Sequence, residues 1–181
     1  IDVDLEGTLV NDSAQYGPFV SELSDSLKAH GLLLTAAVAN WNGGYWSDAT
    51  LAAFDFINSM SYDESGTWTP KSIYQHSPMS AALRDLKYWT ETRGLAKEKV
   101  VLGVPFYGYN YTLTRYEIDG KEVGARGAAA FTWKDYLEKY PERIDADWAG
   151  KKLTADGIWF CNGRNTMRDK TLLSREYGGV M

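Results

Sequence analysis

Three carboxylate side chains alternate with apolar ones in the first six residues, which read IDVDLE. This alternation has the period of a β-strand, in which residues i, i+2 and i+4 share a face. Asp2, Asp4 and Glu6 would therefore project to one side, with successive carboxyls roughly 7 Å apart. Repulsion between carboxylates this close raises the pKa of one of them. A carboxyl that stays protonated near neutral pH can act as a general acid.

Two other interpretations fit the same six residues. An edge strand could simply turn its acidic face to water, and clustered carboxylates also suit Ca²⁺ or Mg²⁺. No Asx-Gly loop or second carboxylate cluster accompanies the segment, so the sequence predicts no metal site. If the apolar side of the strand packs on helices, the three carboxyls lie on the opposite face of the sheet. If that face is enclosed, the charges need hydrogen bonds or oppositely charged partners.

Three further positions combine aromatic and polar chemistry after strand-like runs. The run FDFINSMSY ends at Tyr62 and is followed by Asp63, and the run VVLGVPFY ends at Tyr107. Trp41 lies in the loop NWNGGYW, after the apolar run LLLTAAVA. Its indole could stack on a sugar ring or pack on neighbouring helices, and the sequence leaves both interpretations open.

The segments that must position these residues alternate between strand and helix patterns along the whole chain. Apolar or alternating runs predict strands at 1–6, 32–39, 54–62, 100–107, 157–161 and 178–181. Periodic segments with capping residues predict helices at 18–30, 47–52, 77–93, 132–140 and 166–177. Such alternation indicates βαβ units and a parallel sheet.

Two architectures with a parallel sheet are consistent with this pattern: an open doubly wound sheet and a (β/α)₈ barrel. An open sheet usually carries a glycine-rich phosphate turn, and neither GxGxxG nor GxxxxGK[ST] occurs here. A full barrel needs about 250 residues, whereas this chain has 181. The sequence therefore predicts an α/β fold in which residues 1–181 form one domain, a portion of a (β/α)₈ barrel.

Four segments in order resemble glycoside hydrolase family 18. IDVDLE resembles the end of the family signature D-x-x-D-x-D-x-E, and FDFINSMSYD resembles the sixth strand, which ends in M-x-Y-D. VLGVPFYG resembles the seventh strand and GGVM the opening of the eighth. The resemblance implies the C-terminal portion of the barrel, from strand 4 to the start of strand 8, with strands 1–3 outside this chain.

The resemblance also implies a substrate-assisted retaining mechanism, in which the acetamido oxygen of the −1 sugar attacks and forms an oxazolinium. Glu6 matches the general acid that protonates the glycosidic oxygen. Asp4 matches the residue that holds the acetamido N–H and shares a proton with Asp2. Tyr62 matches the tyrosine whose hydroxyl supports the acetamido carbonyl.

Substrate-binding positions follow in the same way. Met60 and Asp63 match residues that line the −1 site, and Tyr107 falls at the end of a strand, where barrels place their active sites. We expect Trp41 to contribute stacking surface. No cofactor and no metal is expected.

The implied function is hydrolysis of β-1,4-linked N-acetylglucosamine glycans, with chitin or its oligosaccharides as the binding partner. Alternatives are an endo-β-N-acetylglucosaminidase that acts on N-glycan chitobiose cores and a carbohydrate-binding barrel without catalysis. Family members of the last kind typically lose the catalytic Glu, so the presence of Glu6 weighs against it. The resemblance implies a secreted, cell-surface or periplasmic location, although the chain itself contains no signal segment.

Composition excludes other classes of partner. The chain has 19 Lys and Arg against 24 Asp and Glu, a formal charge of −5, and no basic run longer than two residues. Nucleic-acid binding leaves a basic footprint that is missing here, and no apolar stretch approaches the roughly 20 residues of a membrane span. His30, His76 and the single Cys161 have no nucleophile or metal ligand nearby in sequence and are interpreted as structural.

One expectation concerns the shape of the cleft. About 70 residues separate the predicted seventh strand from the eighth, which leaves little room for the extra α+β insertion that deepens some chitinase grooves. We therefore expect an open, shallow cleft.

Overall fold

The computed structural model describes residues 1–6, 13–70, 72–118, 121–152 and 154–181. The chain forms two compact units, each built from separate stretches of sequence. Unit 1 contains residues 1–61, 80–103 and 171–181, and unit 2 contains residues 62–79 and 104–170.

Unit 1 is built on a four-stranded parallel sheet in the order β1-β2-β3-β4. The strands are β1 (Asp2–Val3), β2 (Thr35–Val38), β3 (Phe56–Ser59) and β4 (Val100–Leu102). A parallel bridge between Leu102 and Val180 extends the order by one position. The predicted parallel sheet is confirmed for five of the six predicted strands, including the start of one at the end of the chain, whereas the predicted strand 157–161 lies in a different sheet.

Helices connect these strands, as the apolar periodicity predicts. They are α1 (Ser13–Lys28), α2 (Asp48–Ala53) and α3 (Met79–Lys87), with 3₁₀ turns at Asn40–Tyr45 and Lys97–Lys99 and a π-helical turn at Tyr88–Thr92. The hydroxyl of Ser47 accepts the Thr50 N–H and caps α2, as predicted. The prediction that Pro18 opens α1 is wrong, because the helix begins at Ser13 and Pro18 lies inside it.

The core of unit 1 lies between the sheet and its helices. All four residues of β2 are buried, which explains its continuous apolar sequence. Trp46 is buried, with the rings of Tyr16 and Phe54 at centroid distances of 5.1 and 6.0 Å. Gly94 ends the α3 segment in a left-handed conformation, at φ +69°.

Unit 2 contains a four-stranded antiparallel sheet in the order β6-β5-β8-β7. Its strands are β5 (Tyr107–Ile118), β6 (Lys121–Thr132), β7 (Trp148–Gly150) and β8 (Ile158–Phe160). The helices that follow β6 and β8 are α4 (Trp133–Lys139) and α5 (Arg164–Ser174), and a 3₁₀ turn lies at Pro141–Arg143. Cys161 is buried beside Phe131, Tyr136 and Ala149, which confirms its predicted packing role.

This sheet overturns two expectations. The predicted strand 100–107 is divided, because β4 ends at Leu102 and Tyr107 begins β5 in the other sheet. The expectation that little room remains for an α+β insertion is also wrong. The long antiparallel pair β5 and β6 was not predicted from the sequence, whereas α4 and β8 match the predicted helix 132–140 and strand 157–161.

The two leucines of α3 provide a matched test of the core of unit 1. Leu86 is fully buried, whereas Leu83 is 50% exposed on the same helix. Leu86→Ala leaves a cavity and should lower the free energy of unfolding by about 2–5 kcal/mol. Leu83→Ala makes the same chemical change at the surface and should cost less than about 1 kcal/mol. Urea unfolding followed by circular dichroism measures both, and equal losses would contradict this packing.

Candidate active site

The acidic segment at the start of unit 1 is held by neighbouring strands at its first carboxyl. Asp2 pairs in register with Thr35 of β2, and the Thr35 hydroxyl donates to Asp2 Oδ1. From β3, the buried Asn58 donates its side-chain amide to the same oxygen at 3.0 Å. Two adjacent strands thus fix the carboxyl of Asp2.

Asp4 and Glu6 lie beyond the end of β1, because the ladder with β2 ends at the pair Val3–Ala36. The prediction that all three acids lie within one strand is therefore wrong in its extent. The alternation persists past the strand, since Val3 is buried and Leu5 half-buried while Asp4 and Glu6 are exposed. All three carboxyls remain accessible to a ligand.

Met60 and Trp41 follow β3 and β2 in unit 1. The Met60 N–H donates to the carbonyl of Val38 at 2.8 Å, which fixes the chain just past the end of β3. Trp41 is 69% exposed on the turn Asn40–Tyr45. That turn is anchored by the guanidinium of Arg93, which donates to the Gly43 carbonyl. An exposed indole on an anchored turn can serve as a stacking surface.

The densest group of functional side chains lies in unit 2 and surrounds Asp63. We call it the Asp63 cluster, and it consists of Tyr62, Asp63, His76, Tyr107 and Tyr109. The hydroxyls of Tyr107 and Tyr109 donate to Asp63 Oδ1 at 2.6 and 3.0 Å. His76 Nδ1 lies 3.4 Å from the same oxygen. The ring of Tyr62 meets that of Tyr107 edge-on at 6.1 Å between centroids.

The alternation in β5 explains why two tyrosines reach one carboxyl. Tyr107 and Tyr109 are separated by one residue and share a face of the strand. Gly108 lies between them, where β5 passes so close to β8 that an added Cβ would lie 1.9 Å from the Phe160 carbonyl oxygen. Only glycine allows this approach, and both phenols are thereby brought to Asp63.

Asp63 is held in its ionised form. Burial raises the pKa of its carboxyl, but hydrogen bonds from His76, Tyr107 and Tyr109 outweigh burial and hold the pKa below its usual value. Burial and the adjacent carboxylate in turn raise the pKa values of Tyr107 and Tyr109, so both remain hydroxyl donors at neutral pH. The cluster therefore places one negative charge amid fixed donors.

Chemically, the Asp63 cluster suits a polar or cationic ligand. The described hydrogen bonds to the carboxyl all reach Oδ1, and the side chain is 39% exposed, so Oδ2 can accept a hydroxyl from a bound molecule. Across the described ranges, no group of three or more His, Cys, Asp or Glu side chains is placed to hold a metal ion.

The sequence predicts Tyr62, Asp63 and Tyr107 as site residues but not four other members of the two sites, which are Thr35, Asn58, Tyr109 and His76. Asn58 and Tyr109 each have a signal, since Asn58 is a polar residue in a buried strand and Tyr109 continues the Tyr-x-Tyr alternation. His76 was assigned a structural role because its partner Asp63 is thirteen residues away, in a stretch without regular structure.

Comparison with known proteins gives a consistent family. The model of the family "Glycosyl hydrolases family 18" matches residues 1–181. A probable chitinase 10 of Drosophila melanogaster is 32% identical over 150 residues, which are 71% of this chain and 6% of that protein. An endochitinase of Brugia malayi is 32% identical over 196 residues, which cover 90% of this chain and 38% of that protein.

Among solved structures, a family 18 chitinase from the chitin utilization locus of Flavobacterium johnsoniae is similar over 99% of this chain, with a TM-score of 0.80 and 33% identity. The match covers 51% of that chitinase chain. The present chain thus spans about half of this structure, and less than half of each of the two proteins above.

The donors around Asp63 generate a prediction about its titration. Tyr107→Phe removes the shorter phenol hydrogen bond, so the pKa of Asp63 should rise toward the ordinary carboxyl value of about 3.9. Because the wild-type pKa is depressed, this carboxyl stabilises the fold above its unfolded-state pKa, and the contribution is lost as pH falls through the folded-state pKa. The difference in unfolding free energy between wild type and variant should therefore shrink below about pH 4.

Carboxyl ¹³C NMR titration of Asp63, with urea unfolding at several pH values, measures both effects. Tyr140→Phe is the control, because it removes a phenol hydroxyl that does not touch Asp63 in the structure. An unchanged Asp63 titration in Tyr107→Phe would show that this hydrogen bond does not set the pKa.

Proposed function

The chain belongs to glycoside hydrolase family 18, and from this membership we propose that it is part of an enzyme that hydrolyses β-1,4-linked N-acetylglucosamine glycans, with chitin or chitooligosaccharides as substrate. The observation that carries the proposal is the accessible row of carboxyls at the end of β1. Glu6 is the last of them and is exposed in the structure. A proton donor must reach the glycosidic oxygen, and this carboxyl is open to a ligand.

The proposed mechanism assigns each carboxyl a separate task. Glu6 protonates the leaving oxygen as general acid, while the substrate's acetamido oxygen attacks the anomeric carbon and forms an oxazolinium with net retention. Asp4 holds the acetamido N–H and shares a proton with Asp2. The hydrogen bonds from Thr35 and Asn58 to Asp2 support this, because they give the innermost carboxyl a fixed orientation.

The Asp63 cluster supplies the remaining proposed roles. The Tyr62 hydroxyl supports the acetamido carbonyl, and Asp63 and Met60 line the −1 sugar. An oxazolinium carries delocalised positive charge, so an ionised carboxyl with fixed phenol donors stabilises the transition state more than the neutral ground state. Tyr107 contributes to substrate binding beside Asp63, to which its hydroxyl donates, and Trp41 offers a stacking surface for a sugar ring.

We further propose that unit 1 belongs to the C-terminal portion of a (β/α)₈ barrel. Four parallel strands in sequence order, with a fifth position paired through Val180, support this architecture. Strands 1–3 of such a barrel would lie outside this chain.

The expected location is outside the cytoplasm, either secreted or at the cell surface or in a periplasm, where polymeric chitin is met. No helix in the described part of the chain has both the length and the apolar character needed to cross a bilayer.

Two alternative functions share the same residues. An endo-β-N-acetylglucosaminidase would use the same −1 chemistry on the chitobiose core of an N-glycan, and a non-catalytic barrel would bind the sugar only. Incubation of the full-length protein with chitooligosaccharides and, separately, with a high-mannose glycoprotein distinguishes them. Cleavage of the first alone supports the proposal, cleavage of the glycoprotein supports the endoglycosidase, and binding without cleavage supports the lectin-like alternative.

Glu6→Gln tests the assignment of the general acid. The amide has nearly the same shape but cannot donate the proton, so kcat should fall at least ~10²-fold while chitooligosaccharide binding persists. Hydrolysis kinetics and calorimetric binding provide the two measurements. Glu22→Gln, the same change at an exposed position of α1, should alter neither. Full activity in Glu6→Gln would move the acid role to another group.

The substrate-assisted mechanism has its own test, which depends on the sugar rather than the protein. An ordinary retaining enzyme has a second carboxylate about 5–5.5 Å from the acid, and the nearby Asp4 lies on the same segment as Glu6, poorly placed to attack from the opposite face. Hydrolysis should therefore require an N-acetyl group on the −1 sugar and be inhibited by a thiazoline analogue. Comparable turnover of a matched substrate without the acetamido group would exclude this mechanism.

A further inference from the structure

We propose that His76 is a positioning residue that fixes the backbone and the carboxylate of Asp63 for sugar binding. The inference deepens the proposed function, since it rests on the role of Asp63 at the −1 sugar. It is carried by the contacts of the His76 ring, which involve Asp63 and the strand that supplies the two phenols.

The first observation is that the imidazole is completely buried, with no side-chain exposure. A buried polar ring is costly unless its nitrogens are hydrogen-bonded. Both are: Nε2 lies 3.2 Å from the carbonyl oxygen of Tyr107, and Nδ1 lies 3.4 Å from the main-chain nitrogen and from Oδ1 of Asp63. The ring also packs 5.1 Å from the ring centroids of Tyr107 and Tyr109.

The direction of these hydrogen bonds follows from the chemistry of the partners. A carbonyl oxygen can only accept, so Nε2 carries a proton and donates to Tyr107. In a neutral ring, Nδ1 then accepts the Asp63 N–H. In a protonated ring, Nδ1 donates to the Asp63 carboxylate instead. His76 therefore holds Asp63 in either charge state, through the backbone in one and the carboxyl in the other.

Asp63 needs such a support because of its backbone conformation. Its φ is +63°, and among the described residues it is the one non-glycine with positive φ. A positive φ is an unfavourable backbone conformation for an L-amino acid other than glycine, and it persists only where the surrounding structure fixes it. The contact between His76 Nδ1 and the Asp63 N–H acts directly on the peptide unit whose rotation defines this φ.

The ring itself is held in place by its neighbours in the chain. The carbonyl of His76 accepts the Glu64 N–H at 3.0 Å. The next residue, Ser77, accepts hydrogen bonds at its carbonyl from the buried side chains of Asn162 and Lys170, both at 2.8 Å. The backbone of His76 and Ser77 is thus anchored by three hydrogen bonds, so the ring can impose its geometry on Asp63 rather than follow it.

The experiment separates the two nitrogens of the ring in the full-length protein. The amide of Asn reaches the position of Nδ1, and the longer Gln reaches that of Nε2. His76→Ala should lower kcat/KM for chitooligosaccharides by about tenfold or more, as expected for a lost hydrogen bond at a charged group. His76→Asn should recover most of this loss, and His76→Gln should not.

A double-mutant cycle tests whether the effect passes through Asp63. In an Asp63→Ala background, His76→Ala should reduce kcat/KM by less than about twofold, because residues that act through one another are not additive. The control is His30→Ala at the exposed end of α1, which should behave as wild type. Equal losses in all three His76 variants, or full additivity with Asp63→Ala, would overturn the proposal in favour of simple packing.

A readout independent of catalysis keeps the two proposals distinct. Within the described ranges, the groups that face the Asp63 carboxyl are the hydroxyls of Tyr107 and Tyr109 and the ring of His76. In a carboxyl ¹³C titration, His76→Ala should raise the pKa of Asp63, and His76→Asn should restore it. If wild-type protein cleaves no substrate, the proposed function fails while this titration still decides the role of His76, and an unchanged titration overturns that role.

Discussion

One carboxyl oxygen, Oδ1 of Asp63, is the point on which the chemistry of unit 2 depends. It accepts two phenol hydroxyls from β5 and lies beside a buried imidazole. Each of these groups would be costly to bury alone, and the carboxyl provides an acceptor for both phenols. The Tyr-x-Tyr alternation of β5 brings both phenols to this acceptor, and Gly108 between them allows the close approach of β5 to β8.

The carboxyls of unit 1 obey a different constraint. All three side chains are exposed, but Asp2 is fixed by two neighbouring strands, whereas Asp4 and Glu6 lie beyond the ladder. Fixed orientation suits a residue that holds or shares a proton, and exposure suits one that must meet a ligand. The carboxyls differ in how firmly they are held because the β1–β2 pairing ends at Val3, before Asp4 and Glu6.

The parallel sheet of unit 1 could be predicted from sequence because its strands are apolar or alternating runs and its helices carry capping residues such as Ser47. The antiparallel sheet of unit 2 could not, because its strand β5 begins within the same apolar run as β4, and a run of residues does not show where a chain leaves one sheet for another. Three members of the Asp63 cluster were predicted from motifs. His76 was not, since its contact with Asp63 depends on how an irregular segment is folded back, and no local pattern encodes that.

The contact between Lys170 and Ser77 joins residues that are synthesised at different times. Its buried ammonium donates to Ser77, 93 positions earlier in the chain. The segment that carries Asp63 and His76 therefore acquires its last anchor only after α5 has been synthesised. During translation at about 5–20 residues per second, this tyrosine-rich stretch waits for several seconds without its partner, and such long-range closure is slow to form. Lys170 therefore ties the segment of the proposed chemistry to a helix that lies far later in the chain.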